Sequence, residues 1–192
     1  MMNFRKAVFF IFILFFVGGC RTTPAAQLYS GLPSPPHGFS WYESVNGVGS
    51  FLKPDGWFVK EESSGQTNAV FISKENIEAS ARFLTGMTVN QMNSWSDSNS
   101  SKPSQYAHEF AKKIASSGEV LINTVIKGNQ NDMHVVRLLS NNSGKATIVH
   151  YLAIGMDSRD QLYLIIYESP EPEWGANENN AREMLNLFFL GE

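Results

Sequence analysis

The chain has 192 residues, 43% of them hydrophobic and 12% aromatic, with a net charge of −3. One domain fits this length, and so apolar a chain with so little net charge is not a disordered one. With 15 basic residues against 18 acidic ones, a nucleic-acid binder working by bulk charge is excluded. A single cysteine excludes an internal disulfide and an all-cysteine metal cluster.

Arg5 and Lys6 precede an unbroken apolar run from Ala7 to Val17, followed by Gly18-Gly19-Cys20. A basic start, a short apolar stretch and small residues at its end read as an export signal over residues 1–19. As a helix the run covers about 16 Å, roughly half the hydrocarbon thickness, which disfavours a permanent span. Val17-Gly18-Gly19-Cys20 resembles the lipobox of bacterial lipoproteins, in which the cysteine is acylated after cleavage. This resemblance implies lipidation at Cys20, with the covalent lipid as the membrane anchor. Arg21, in place of an aspartate, implies the periplasmic face of the outer membrane where the host has one. Loss of the signal leaves 13 basic and 18 acidic residues, so the mature chain carries −5 and lipid, not charge, holds it to the membrane.

Residues 20–38 contain Pro24, Pro33, Pro35 and Pro36 and read as the lipidated cysteine followed by a spacer, able to reach about 55 Å in polyproline geometry. A domain is expected over 39–192. Short strands are expected around Phe39–Val45, Gly49–Lys53, Trp57–Glu61, Ala69–Ser73 and Arg82–Met92, with Pro54-Asp55-Gly56 as turn chemistry. A serine-rich loop, 93–102, carries Trp95. Pro103–Ser117 reads as a helix with Tyr106, Phe110 and Ile114 on one stripe, closed by Gly118. Val120–Ile126, Met133–Leu139, Thr147–Met156 and Leu162–Tyr167 are strands whose short connections imply antiparallel neighbours. Leu162–Ile166 is apolar at every position and predicts a strand covered on both faces. A last helix is expected from about Glu173 to Leu190.

The segment Gln161–Glu171, with Trp174 and the helix ending Leu187-Phe188-Phe189, resembles the closing pattern of PsbP-family domains. Phe51-Leu52-Lys53-Pro54-Asp55-Gly56-Trp57 is similar to that family's strand-turn-strand, and the resemblance runs over about 39–190. It implies an α+β fold, an α/β/α sandwich with a central, mostly antiparallel sheet flanked by helices. It also implies a protein-binding or assembly role and no established catalysis. Its motifs build the fold, so it assigns no binding residue.

His134 and His150 lie about equally far from the turn near Asn142-Ser143, so the expected hairpin sets them opposite each other. Joined by Asp132, such a pair is a candidate zinc or copper site. A one-residue slip would put the two rings on opposite faces. No nucleophile motif or nucleotide fingerprint is present. Glu61-Glu62 points its two carboxylates to opposite faces of a strand, and the carboxylates near Glu171 and Glu173 suit a helix start. Trp95, set among Ser94, Ser96, Asp97 and Ser98, is either an exposed anchor for a partner or a ring folded back on the sheet.

The sequence therefore predicts no catalytic residues, no cofactor beyond lipid on Cys20, and no nucleic-acid partner. The leading expectation is an exported, lipid-anchored, non-enzymatic binding module of the cell envelope, whose partner is an envelope protein the sequence does not identify. A ligand- or metal-binding lipoprotein using His134 and His150 is the alternative, and a hydrolase comes last.

Overall fold

The computed structural model describes residues 31–78, 82–141 and 145–191. Cys20, the export signal, the first part of the spacer and the Asn142-Ser143-Gly144 turn lie outside the described residues. The compact folded unit runs from Pro33 onward. Pro33 contributes to it, accepting a hydrogen bond of 2.7 Å from the Trp41 indole.

Among the described residues, ten strands and two α-helices follow in order. They are β1 (Phe39–Glu43), β2 (Gly49–Pro54), β3 (Phe58–Ser64), β4 (Thr67–Ser73), β5 (Gly86–Met92), α1 (Pro103–Ala115) and β6 (Glu119–Ile126). Then come β7 (Met133–Ser140), β8 (Thr147–Met156), β9 (Gln161–Pro170), α2 (Trp174–Asn186) and β10 (Phe188–Leu190). Seven strands form one antiparallel sheet in the order β3-β4-β5-β9-β8-β7-β6, and β1-β2-β10 form a smaller antiparallel sheet.

The alternation of side chains on β9 explains the layering. Tyr163, Ile165 and Tyr167 point to one face and join Val70, Met87, Val89, Leu152, Trp174 and Met184 in the main core. Leu162 and Leu164 point to the other face, toward Trp95 and Ala107. The all-apolar run thus fills two cores, as a strand in the middle of a sandwich requires. One face of the large sheet carries the small sheet and α2. Helix α1 lies on the opposite face, over β7 and β8. This is the expected α+β sandwich, with one layer built jointly from a helix and a second sheet.

Close approach fixes α1 in place. Ala107 and Ala111 are its buried contacts with the sheet, and a Cβ at Gly155 of β8 would overlap the backbone of Pro103 and Ser104. Tyr106, Phe110 and Ile114 flank this contact line, so the expected stripe is turned slightly from the true one. The last helix also differs from expectation. It ends at Asn186, Leu187 takes extended dihedrals (φ −135°, ψ 100°), and 188–190 pair with β2. Three consecutive large apolar residues satisfy a sheet edge as well as a helix stripe, and here the tertiary partner decides. Gly49 permits the pairing, because a Cβ there would overlap the Phe189 carbonyl.

Candidate functional site

An open groove of about 990 Å³ runs beside the first turns of α1. Gln105 and His108 of α1 form one wall, with His134 of β7 and Asp132 just before it. Lys127 of the β6–β7 connection and Asp157 after β8 also line it. Asp157 is committed to the helix start: its carboxylate accepts from the Ser104 N–H (2.9 Å) and hydroxyl (2.8 Å). Asp132 is ion-paired with Lys127 at 2.6 Å, which holds its pKa below the usual carboxylate range.

Two imidazoles meet in this groove. The rings of His108 and His134 stand edge to face with centres 5.3 Å apart. Burial lowers the His134 pKa, the neighbouring His108 lowers it further, and Asp132 opposes both. His134 is therefore held toward the neutral form, whose second nitrogen is a free electron-pair donor.

The expected pairing of His134 with His150 does not form. The β7–β8 register sets His134 opposite Ala153 and Arg137 opposite His150. His150 therefore lies on the other face of the sheet, 8% exposed, where its Nδ1 accepts from Arg137 Nε at 3.1 Å. The register is three residues away from the expected one, and because strand side chains alternate, that odd offset separates the two rings.

Trp95 resolves to the second of its two readings. It is 7% exposed, and its indole N–H donates to the Ser101 carbonyl at 2.8 Å while its ring packs at a tilt against Tyr106, centres 4.6 Å apart. The surrounding loop is tied down at Asp160. The Asp160 carbonyl accepts from the Trp95 N–H, and its carboxylate accepts from the Ser96 N–H and hydroxyl. As an exposed anchor Trp95 is therefore corrected: polar neighbours in sequence satisfy the backbone around a buried ring.

The expected division of Glu61 and Glu62 holds. Glu61 caps the β1–β2 turn, accepting from Tyr42 Oη (2.6 Å), the Val45 N–H (2.9 Å) and Asn46 Nδ2 (2.7 Å), while Glu62 pairs with Lys60 on the opposite face.

No family model matches the chain, and no curated protein matches its sequence. Among solved structures its fold is similar to a Bacteroides thetaiotaomicron protein, with TM-score 0.50 and 11% identity over 81% of this chain and 49% of that one. The chain thus spans about half the length of that structure. It is also similar to cyanobacterial PsbP (CyanoP) of Synechocystis, with TM-score 0.49 and 15% identity over 85% of this chain and 98% of that one. The Saccharomyces cerevisiae Ran-binding protein Mog1p gives TM-score 0.47 and 12% identity over 79% and 95%.

One surface escaped sequence reasoning altogether. β6 is the last strand of the large sheet, and Val120, Leu121, Val125 and Ile126 are 41%, 46%, 40% and 52% exposed along it. The apolar pattern marks β6 as a strand, but only the strand order reveals that it lies at an edge. Its C-terminal end runs into the groove, where Val125 and Lys127 belong to the lining.

Proposed function

We propose that this chain is a lipid-anchored bacterial envelope protein whose domain is a non-enzymatic protein-binding or assembly module. The observation that carries the reading is β6. It offers a row of outward backbone N–H and C=O groups and four exposed apolar side chains beside an open groove. Long, apolar edge strands are normally blunted by charge, proline, bulges or cover, so one as exposed as β6 is suited to accept an extended peptide from a partner by strand addition. A bulge between Val120 and Ile122 shortens the regular edge toward its C-terminal half. Lipid on Cys20 and the proline-rich spacer would hold that surface away from the bilayer.

Among the described residues no helix is long and apolar enough to cross a membrane. Anchoring is tested separately from binding, by metabolic palmitate labelling and membrane fractionation of the wild type and Cys20→Ala. Label and membrane association lost together in the variant support the anchor, and a membrane-bound, unlabelled wild type contradicts it. Binding is tested by crosslinking the lipidated protein in its native envelope and identifying what co-purifies. A single envelope protein, lost on Val125→Lys, supports the module reading; unchanged recovery contradicts the role of β6.

A further inference from the structure

We propose that His108 and His134 together bind a divalent transition-metal ion of the zinc class on the wall of the α1 groove. The inference goes beyond the protein-binding reading and does not depend on it. Imidazole is a ligand of choice for zinc, copper and nickel, and a pair fixed by the fold loses less freedom on binding than two mobile side chains.

The ring separation suits one shared ion. With Zn–N bonds of about 2.0–2.1 Å and each ring centre about 1.1 Å behind its nitrogen, N–Zn–N angles of about 90–120° place the ring centres about 4.5–5.5 Å apart. The observed separation is 5.3 Å. The two rings come from different elements, one from α1 and one from β7, and both line the same open groove. Gly155 lets the start of α1 lie directly on the sheet, which sets the depth at which His108 meets His134.

Among the described residues no group of three histidine, cysteine, aspartate or glutamate side chains forms a complete metal cage. The ion would therefore keep open positions, filled by water or by an incoming group. Asp132, also in the lining, is held by Lys127 at 2.6 Å and would have to leave that pair to become a third ligand. A site with two fixed imidazoles and open positions can bridge to a donor atom on a second molecule.

The test uses the detergent-solubilised full chain with no polyhistidine tag. Zinc chloride is titrated calorimetrically, and copper(II) chloride serves as a paramagnetic probe of the same site. The expected result is one ion per chain, nitrogen hyperfine structure from two imidazoles in the copper spectrum, and affinity at least ten-fold weaker in both His108→Gln and His134→Gln. His37→Gln should bind like the wild type. His108 is exposed on α1, so its variant is informative even if His134→Gln folds poorly. No saturable binding by the wild type, or binding that His108→Gln leaves unchanged, overturns the proposal.

Discussion

Arg137 and His150 face each other across β7 and β8, the guanidinium Nε donating to the imidazole Nδ1 at 3.1 Å, with the same guanidinium 4.9 Å above the ring of Trp174. An acceptor role fixes His150 in its neutral form with the proton on Nε2. That atom is buried without a hydrogen-bond partner. Burial, reinforced by the charge of Arg137, lowers the His150 pKa from 6.5 to about 4.

A stability profile with a defined sign follows. Because the folded pKa lies below the unfolded one, the unfolded chain takes up the proton first as pH falls. The stability linked to His150 is fully present above about pH 6.5 and is lost progressively toward pH 4, amounting to about 3 kcal/mol. Urea unfolding at pH 7 and pH 4.5 reads the loss. His150→Gln, which retains an acceptor for Arg137 without a titrating proton, should flatten the profile over that window; an unchanged slope would show that other groups set it.

Replacing Trp95 by alanine should cost about 3 kcal/mol and lower Tm by about 10 °C, because the indole fills the cluster with Ala107, Ala153 and Leu162 and holds Ser101. Differential scanning calorimetry decides the matter. A near-wild-type Tm would return Trp95 to the surface role that its polar sequence neighbours first suggest.

Glu61→Gln should destabilise the domain by about 1–2 kcal/mol, since a charged acceptor shared by Tyr42, Val45 and Asn46 becomes a neutral one. Burial and then Glu61 raise the Tyr42 pKa above its usual value. Relief of the carboxylate should therefore move the tyrosinate absorbance transition to lower pH, which a spectrophotometric titration measures directly.

The patterns written into single segments were the legible ones. Strand alternation and turn chemistry placed β7 and β8 to within a residue, and the unbroken apolar run 162–166 announced a doubly covered strand. What escaped depends on distant chain. Phe188–Leu190 is a strand because β2 lies beside it, and Trp95 is buried because Asp160 anchors its loop. His108 and His134 are separated by an entire strand and helix end, with no spacing to connect them, and the distance of His134 and His150 from the turn points to a pairing that the register does not make. The exposure of β6 follows from sheet order, which local periodicity does not encode.

Substitution of Val125 by lysine should leave thermal stability within about 0.5 kcal/mol, because the side chain is already 40% exposed at an unpaired edge. The same change places a charge where an added strand would dock. Circular dichroism melts therefore separate a folding defect from a binding defect in the variant.

Site-specific photocrosslinking from β6 tests the central claim most directly. A photoreactive residue at Leu121 or Val125 is compared in intact envelopes with the same residue at exposed Glu178 of α2. A discrete adduct to one envelope protein, formed from both β6 positions and not from α2, is the predicted result. No adduct from β6, or the same adducts from α2, would contradict an interaction surface at this edge.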